Sequence, residues 1–136
     1  MRTILVAFDG STHALNAVKE AQKYQQLFPD AHVTLLKVLK VSEAKDQCLD
    51  LSLSEEEKKR IRIQTIEKEI TGLLGNHTID IVVGEPATKI IDYIKEHTFD
   101  LVIMGNRGLT RIKKLMLGSV SHAVSTKVDV PVLIVK

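Results

Sequence analysis

The chain is 136 residues long, 44% hydrophobic and 26% charged, a balance that fits one soluble globular domain rather than a disordered, fibrous or two-domain chain. Its 19 basic and 17 acidic residues leave a net charge of +2, too little to draw it to nucleic acid or a membrane surface without a concentrated patch. The one cysteine, Cys48, excludes an internal disulfide, and no Cys/His spacing of the zinc type is present. The longest early apolar run, Ile4 to Phe8, is far short of a signal-peptide core or the ~20 residues of a membrane span. A single domain over residues 1–136 in a reducing cytoplasm is the expectation.

Thr3 to Phe8 and Thr34 to Leu36 sit in short runs rich in Ile, Leu and Val, the pattern of buried parallel strands. Between them Ser11 is a candidate N-cap, and Ala14, Leu15, Val18 and Ala21 recur at helical spacing until Phe28-Pro29 stops the pattern. This predicts a helix over Thr12 to Leu27. Leu39 to Leu53 has no clean period and is expected to be an irregular surface loop. Ser54 followed by Glu57 forms a capping box, and Ile63, Ile66, Ile70, Leu73 and Leu74 share one face of the helix it opens, predicted to end near Gly75.

Ile79 to Val83 is predicted as a third strand. Pro86 then occupies the first position of a helix that turns Ile90, Ile91 and Ile94 inward. A fourth strand follows at Leu101 to Met104. A glycine-bearing loop leads through Gly118-Ser119 into a short helix with Val120, Ala123 and Val124, and Pro131 to Val135 closes the chain as a last strand. Strict β-α alternation requires a five-stranded parallel sheet covered on both faces, a doubly wound three-layer α/β fold.

In such sheets a ligand sits beyond the carboxyl ends of the strands, where strand order reverses. Two segments should meet there: Phe8-Asp9-Gly10-Ser11 after the first strand, and Met104-Gly105-Asn106-Arg107-Gly108 after the fourth. Gly105 and Gly108 permit backbone conformations closed to other residues, and Gly118-Ser119 opens a helix whose free amides attract anions. These pieces point to a phosphate site. A Walker loop is excluded because no lysine follows any of the seven glycines, and the Gly-x-Gly-x-x-Gly turn of a dinucleotide fold is absent after the first strand. A phosphoacceptor domain would need clustered acids, whereas Asp9 stands alone.

The spacing of Gly105, two residues, Gly108, nine residues, Gly118 and Ser119 resembles the nucleotide-binding signature of the universal stress protein family. The resemblance runs the length of the chain: Ile4-Leu5-Val6-Ala7-Phe8-Asp9-Gly10-Ser11 is similar to that family's opening strand, and Val130-Pro131-Val132-Leu133-Ile134-Val135 to its closing one. It implies a Rossmann-like fold of the adenine nucleotide alpha hydrolase type and an ATP site, with Mg2+ accompanying the nucleotide. The implied contacts are Ala7, Phe8 and Asp9, with Asp9 toward the ribose; Val38, whose backbone meets the adenine; and Met104, Gly105, Arg107, Gly108, Gly118, Ser119, Val120 and Ser121 around ribose and phosphates, two hydroxyls among the donors. Phe8 replaces the smaller residue common in the family, and either crowds the pocket or walls it. The resemblance also implies a homodimer through the closing strand Val130 to Val135, which an apolar sheet edge favours. Because some family members bind no ATP, a nucleotide-independent homodimeric interaction module is the alternative.

The remaining features have plainer readings. Arg107, Arg111, Lys113 and Lys114 form a local basic cluster in which only Arg107 is assigned to phosphate. With two tyrosines, three phenylalanines and no tryptophan, a stacking platform for nucleic acid is not expected. His13, His32, His77, His97 and His122 are scattered without metal-ligand spacing. Cys48 has no His or Asp partner nearby in sequence, so no cysteine nucleophile is assigned. Hydrolysis, if any, is expected to be slow, since Asp9 is the only candidate base at the site.

Overall fold

A computed structural model describes residues 1–46, 52–106 and 118–136. Its elements in chain order are β1 (Thr3–Ala7), α1 (Thr12–Leu27), β2 (His32–Leu39), α2 (Val41–Asp46), α3 (Glu55–Glu69), β3 (His77–Val83), α4 (Pro86–Glu96), β4 (Leu101–Gly105), α5 (Ser119–Lys127) and β5 (Val132–Val135). The five strands form one parallel sheet in the order β3-β2-β1-β4-β5. Val6 of β1 sits in register with Leu35 of β2 on one side and Ile103 of β4 on the other.

Period-two alternation divides the apolar residues between two faces. Ile4 and Val6, with Val33, Leu35 and Ile103, pack with Ala14, Ala17, Val18 and Ala21 of α1 and Ile66 of α3. Leu5, Leu36, Val102 and Met104 face the other way, against Ile90, Ile91 and Ile94 of α4 and Val124 of α5. Ile4, Leu5 and Val6 are fully buried, as a central strand between two helical layers must be. Each such side chain contributes on the order of 1.5–3 kcal/mol relative to exposure.

Local chemistry accounts for the helix bounds. Ser11 Oγ accepts the Ala14 N–H at 3.1 Å, so α1 spans the predicted residues. Ser54 Oγ accepts the Glu57 N–H at 3.2 Å and starts α3. That helix stops at Glu69, short of the predicted end near Gly75, because the chain turns through Ile70 and Gly72, the latter at φ +79°. Ile70, Leu73 and Leu74 still pack into the core from this turn. The segment expected to be an irregular loop after β2 carries α2. Glu43 Oε1 accepts the Lys40 N–H at 3.2 Å and the Ala44 N–H bonds Lys40 O at 3.0 Å. Six residues are too few to print a helical period on a sequence. Among the described residues no helix is long and apolar enough to cross a membrane.

The two sheet edges differ. At β3, Asp80 takes Lys59 Nζ of α3 at 2.8 Å and the Tyr93 hydroxyl of α4 at 3.0 Å, so side chains from both helical layers meet on the edge strand. Burial works to raise the Asp80 pKa, but the hydrogen bonds from Lys59 and Tyr93, the Lys59 charge and the Ile81 N–H outweigh it and hold the carboxyl below its ordinary 3.8. Burial and the adjoining carboxylate push Tyr93 up to about 12. A carboxylate with a lowered folded-state pKa contributes stability that is present above pH 3.8 and is lost as pH falls through the lower folded value. Asp80→Asn should therefore cost ~1 kcal/mol at neutral pH. Urea-melt stabilities of variant and parent should converge in acid; a gap that persists there would show that the ion pair is not its source.

Candidate functional site

The carboxyl ends of β1, β2 and β4 open into one cleft. Beyond β1, Phe8 donates its N–H to Leu36 O at 2.9 Å and extends the pairing by one residue. Gly10 then takes φ +83°, a left-handed conformation that glycine adopts without cost from a Cβ. Asp9 Oδ1 accepts the Ser11 N–H at 2.9 Å across this turn. The carboxylate thus shapes the loop that delivers the chain into α1, besides lining the cleft.

On the other side, the Asn106 N–H donates to Val135 O at 2.7 Å and its Oδ1 accepts the Gly118 N–H at 3.0 Å. One asparagine ties the ends of β4 and β5 to the start of α5. Gly118 N-caps α5 in an extended conformation, φ −61° and ψ 154°, with no side-chain cap. The first-turn N–H groups of this nine-residue helix therefore carry the positive end of its dipole with no capping side chain of their own.

The cleft has a volume of about 140 Å³. Ala7, Phe8, Asp9 and Val38 line it from β1 and β2; Met104, Gly105, Val120 and Ser121 line it from β4 and α5. Gly118 and Ser119 stand at the adjoining helix start but outside the wall, Gly118 buried and Ser119 exposed. Arg107 and Gly108 lie outside the described residues, as do Arg111, Lys113, Lys114 and Cys48. Ser121 is 2% exposed and donates its hydroxyl to Gly118 O at 3.1 Å, so the proton expected to serve a ligand is held within the helix. Phe8 is 3% exposed and belongs to the core beneath α1. Little of its ring is left for a stacking wall.

The model of the universal stress protein family matches residues 1–136. The chain belongs to the universal stress protein family. It is 34% identical over 144 residues to universal stress protein YxiE of Bacillus subtilis, covering 98% of this chain and 97% of that protein. The solved structure of hypothetical protein MJ0577 of Methanocaldococcus jannaschii matches with a TM-score of 0.75 at 31% identity, over 99% of this chain and 95% of that one. A universal stress protein solved in complex with cAMP matches with a TM-score of 0.71 at 25% identity, over 98% and 95% of the two chains.

In this universal stress protein Gly105 lines the cleft without using glycine's conformational freedom. Its φ is not positive; among the described glycines only Gly10, Gly72 and Gly84 are in that range. A Cβ on Gly105 would instead lie 2.6 Å from both C and O of His13 and 2.8 Å from His13 Cβ. Glycine is required there because the end of β4 rests directly on the first turn of α1. Sequence reasoning placed Asn106 in the rim segment without a role, and missed Glu43 of α2 and Pro86 and Ile90 of α4, which line the cleft. Loops after β2 and β3 reach the site as those after β1 and β4 do, and the position of Pro86 just beyond a predicted strand was the available signal. Gly105→Ala should lower stability by about 2 kcal/mol, because the obstacle is backbone that cannot swing aside. Urea denaturation reads this directly, and an unchanged midpoint would mean that α1 shifts to accept the methyl group.

Proposed function

We propose that this chain binds an adenine nucleotide, ATP with Mg2+, in the cleft at the carboxyl ends of β1 and β4, and acts in the cytoplasm as a nucleotide-responsive stress-response protein. The observation that carries the reading is the convergence of the Asp9 loop, Val38 and the start of α5 on one cleft; the relative solved with cAMP supports it. Val38 and its apolar neighbours take the adenine, Asp9 the ribose, and the N-terminal amides of α5 the phosphates. Gly105, Arg107, Gly108, Gly118 and Ser119 belong to the ribose and phosphate surround in this reading. Mg2+ would arrive with the nucleotide and offset the charge of its phosphates; among the described residues no group of three or more His, Cys, Asp or Glu is placed to hold a metal.

Binding, not turnover, is the proposed role. The cleft supplies position and charge stabilisation, and the candidate base, Asp9, already accepts a backbone N–H in its own turn, which leaves hydrolysis slow. Isothermal titration with ATP and Mg2+ tests the reading. The parent should bind, and Gly118→Val should weaken binding at least tenfold while leaving the helical signal intact, since Gly118 has a φ that valine tolerates and the branched side chain takes space at the helix start. A folded parent that binds no ATP would leave the interaction-module alternative.

The reading includes a homodimer through the closing strand. β5 stands at the sheet edge, and its side chains pack into both cores, Leu133 and Val135 on one face, Val132 and Ile134 on the other. What β5 offers a second copy is its outer backbone edge beside these half-buried side chains. Val102 and Asn106 bond the carbonyls of Pro131 and Val135, so by alternation the polar groups of Val132 and Ile134 face outward. Ile134→Pro removes one outward donor at a position an edge strand tolerates. Light scattering should show a dimeric parent and a folded monomeric variant; a dimeric variant would move the interface to another face.

A further inference from the structure

Among the described residues the charged side chains of the cleft wall are Asp9, Lys37, Lys40 and Glu43. The positive end of α5 lies at the β4 and β5 side of the cleft, tied there by Asn106. Glu43 lies at the β2 and β3 side, with Val38, Pro86 and Ile90. Lys37 and Lys40 stand with Glu43 on that β2 side, so the helix dipole favours an anion at the start of α5 while the charges at the other end offset one another. In the nucleotide reading above the phosphates lie toward α5 and the base lies at Val38, on the side of Glu43, with the apolar Pro86 and Ile90 suited to a flat ring.

Glu43 is the acidic side chain at that end of the cleft. Its Oε1 accepts the Lys40 N–H at 3.2 Å, which fixes the side chain against the start of α2. A carboxylate has two acceptor oxygens and no donor, and the cap occupies one of them. The Glu43 carboxylate of the cleft wall is thus an acceptor, tied to the start of α2. We propose that Glu43 accepts a hydrogen bond from the exocyclic amino group of the base and makes the cleft selective for amino-bearing adenine nucleotides. This rests on the nucleotide reading of the cleft and adds to it the residue that recognises the base.

The test is a two-by-two cycle by titration calorimetry, with Glu43 or Glu43→Gln against ATP or purine riboside triphosphate, which lacks the amino group. Glutamine keeps an oxygen for the Lys40 N–H and turns its NH2 toward the ligand, so the variant meets the amino group donor to donor. The parent should bind ATP about tenfold more tightly than the analogue, the worth of one hydrogen bond to a charged acceptor. Glu43→Gln should lose about tenfold toward ATP and change little toward the analogue, a coupling that a capping role alone does not produce. Glu43→Ala, with α2 checked by circular dichroism, should show the same loss of preference. Equal losses toward both ligands, or none, would overturn the proposal and leave Glu43 as a helix cap. Tighter binding of both by the variant would overturn it too, by placing the phosphates beside Glu43. A parent that binds neither ligand would remove the nucleotide reading itself, and this inference with it; a parent that binds both equally removes only the inference.

Discussion

β1 is flanked on both sides, by β2 and by β4, and is buried on both faces by helices from opposite layers. Chain crossovers from β1 to β2 through α1 and from β4 to β5 through α5 run on opposite faces of the sheet, so the loops that leave β1 and β4 diverge beyond it. A parallel sheet puts every strand's carboxyl end on the same rim. The cleft is the space that results, and it follows from the strand order rather than from any one residue in its wall.

The close contact of Gly105 with His13 sets how wide that space is. The end of β4 lies on the first turn of α1, which fixes the Asp9 turn relative to Asn106 and, through Asn106, the start of α5. Glycine, asparagine and aspartate here act on backbone: one by having no side chain, two by bonding N–H groups that the loops would otherwise leave unmatched. Side-chain oxygens cap α1, α3 and α4, while α5 begins at a glycine. The starts of α1, α4 and α5 all adjoin the cleft, and of these three α5 is the one whose cap residue brings no side chain to its first amides.

The edges of the sheet show a similar division of labour. β3 is clasped by Lys59 and Tyr93 through Asp80, with Tyr93 itself stacked on His97 at 4.1 Å between ring centres. Polar and charged groups on an edge strand discourage pairing with another chain. β5 has four consecutive apolar residues and no counterpart of that clasp among the described residues.

Much of the fold was legible in the sequence because it is written in local terms. Ser11 and the spacing of Ala14, Val18 and Ala21 determine α1 to its ends, and the apolar runs with their intervening helices determine a five-stranded parallel sheet. The glycine pattern marks the right rim of that sheet. What it means there was not legible. Gly105 satisfies a motif along the chain, but the reason for its lack of a side chain is His13, 92 positions earlier. Ser121 looked like a donor to a ligand until its hydroxyl was seen to bond Gly118 O. Glu43, Pro86 and Ile90 come to the cleft from loops whose approach depends on how strands pair, and Asn106 joins three elements that no sequence spacing relates. Periodicity and capping report on neighbours within a turn or a strand; distances between loops are set only when the sheet assembles and the helices close over its two faces.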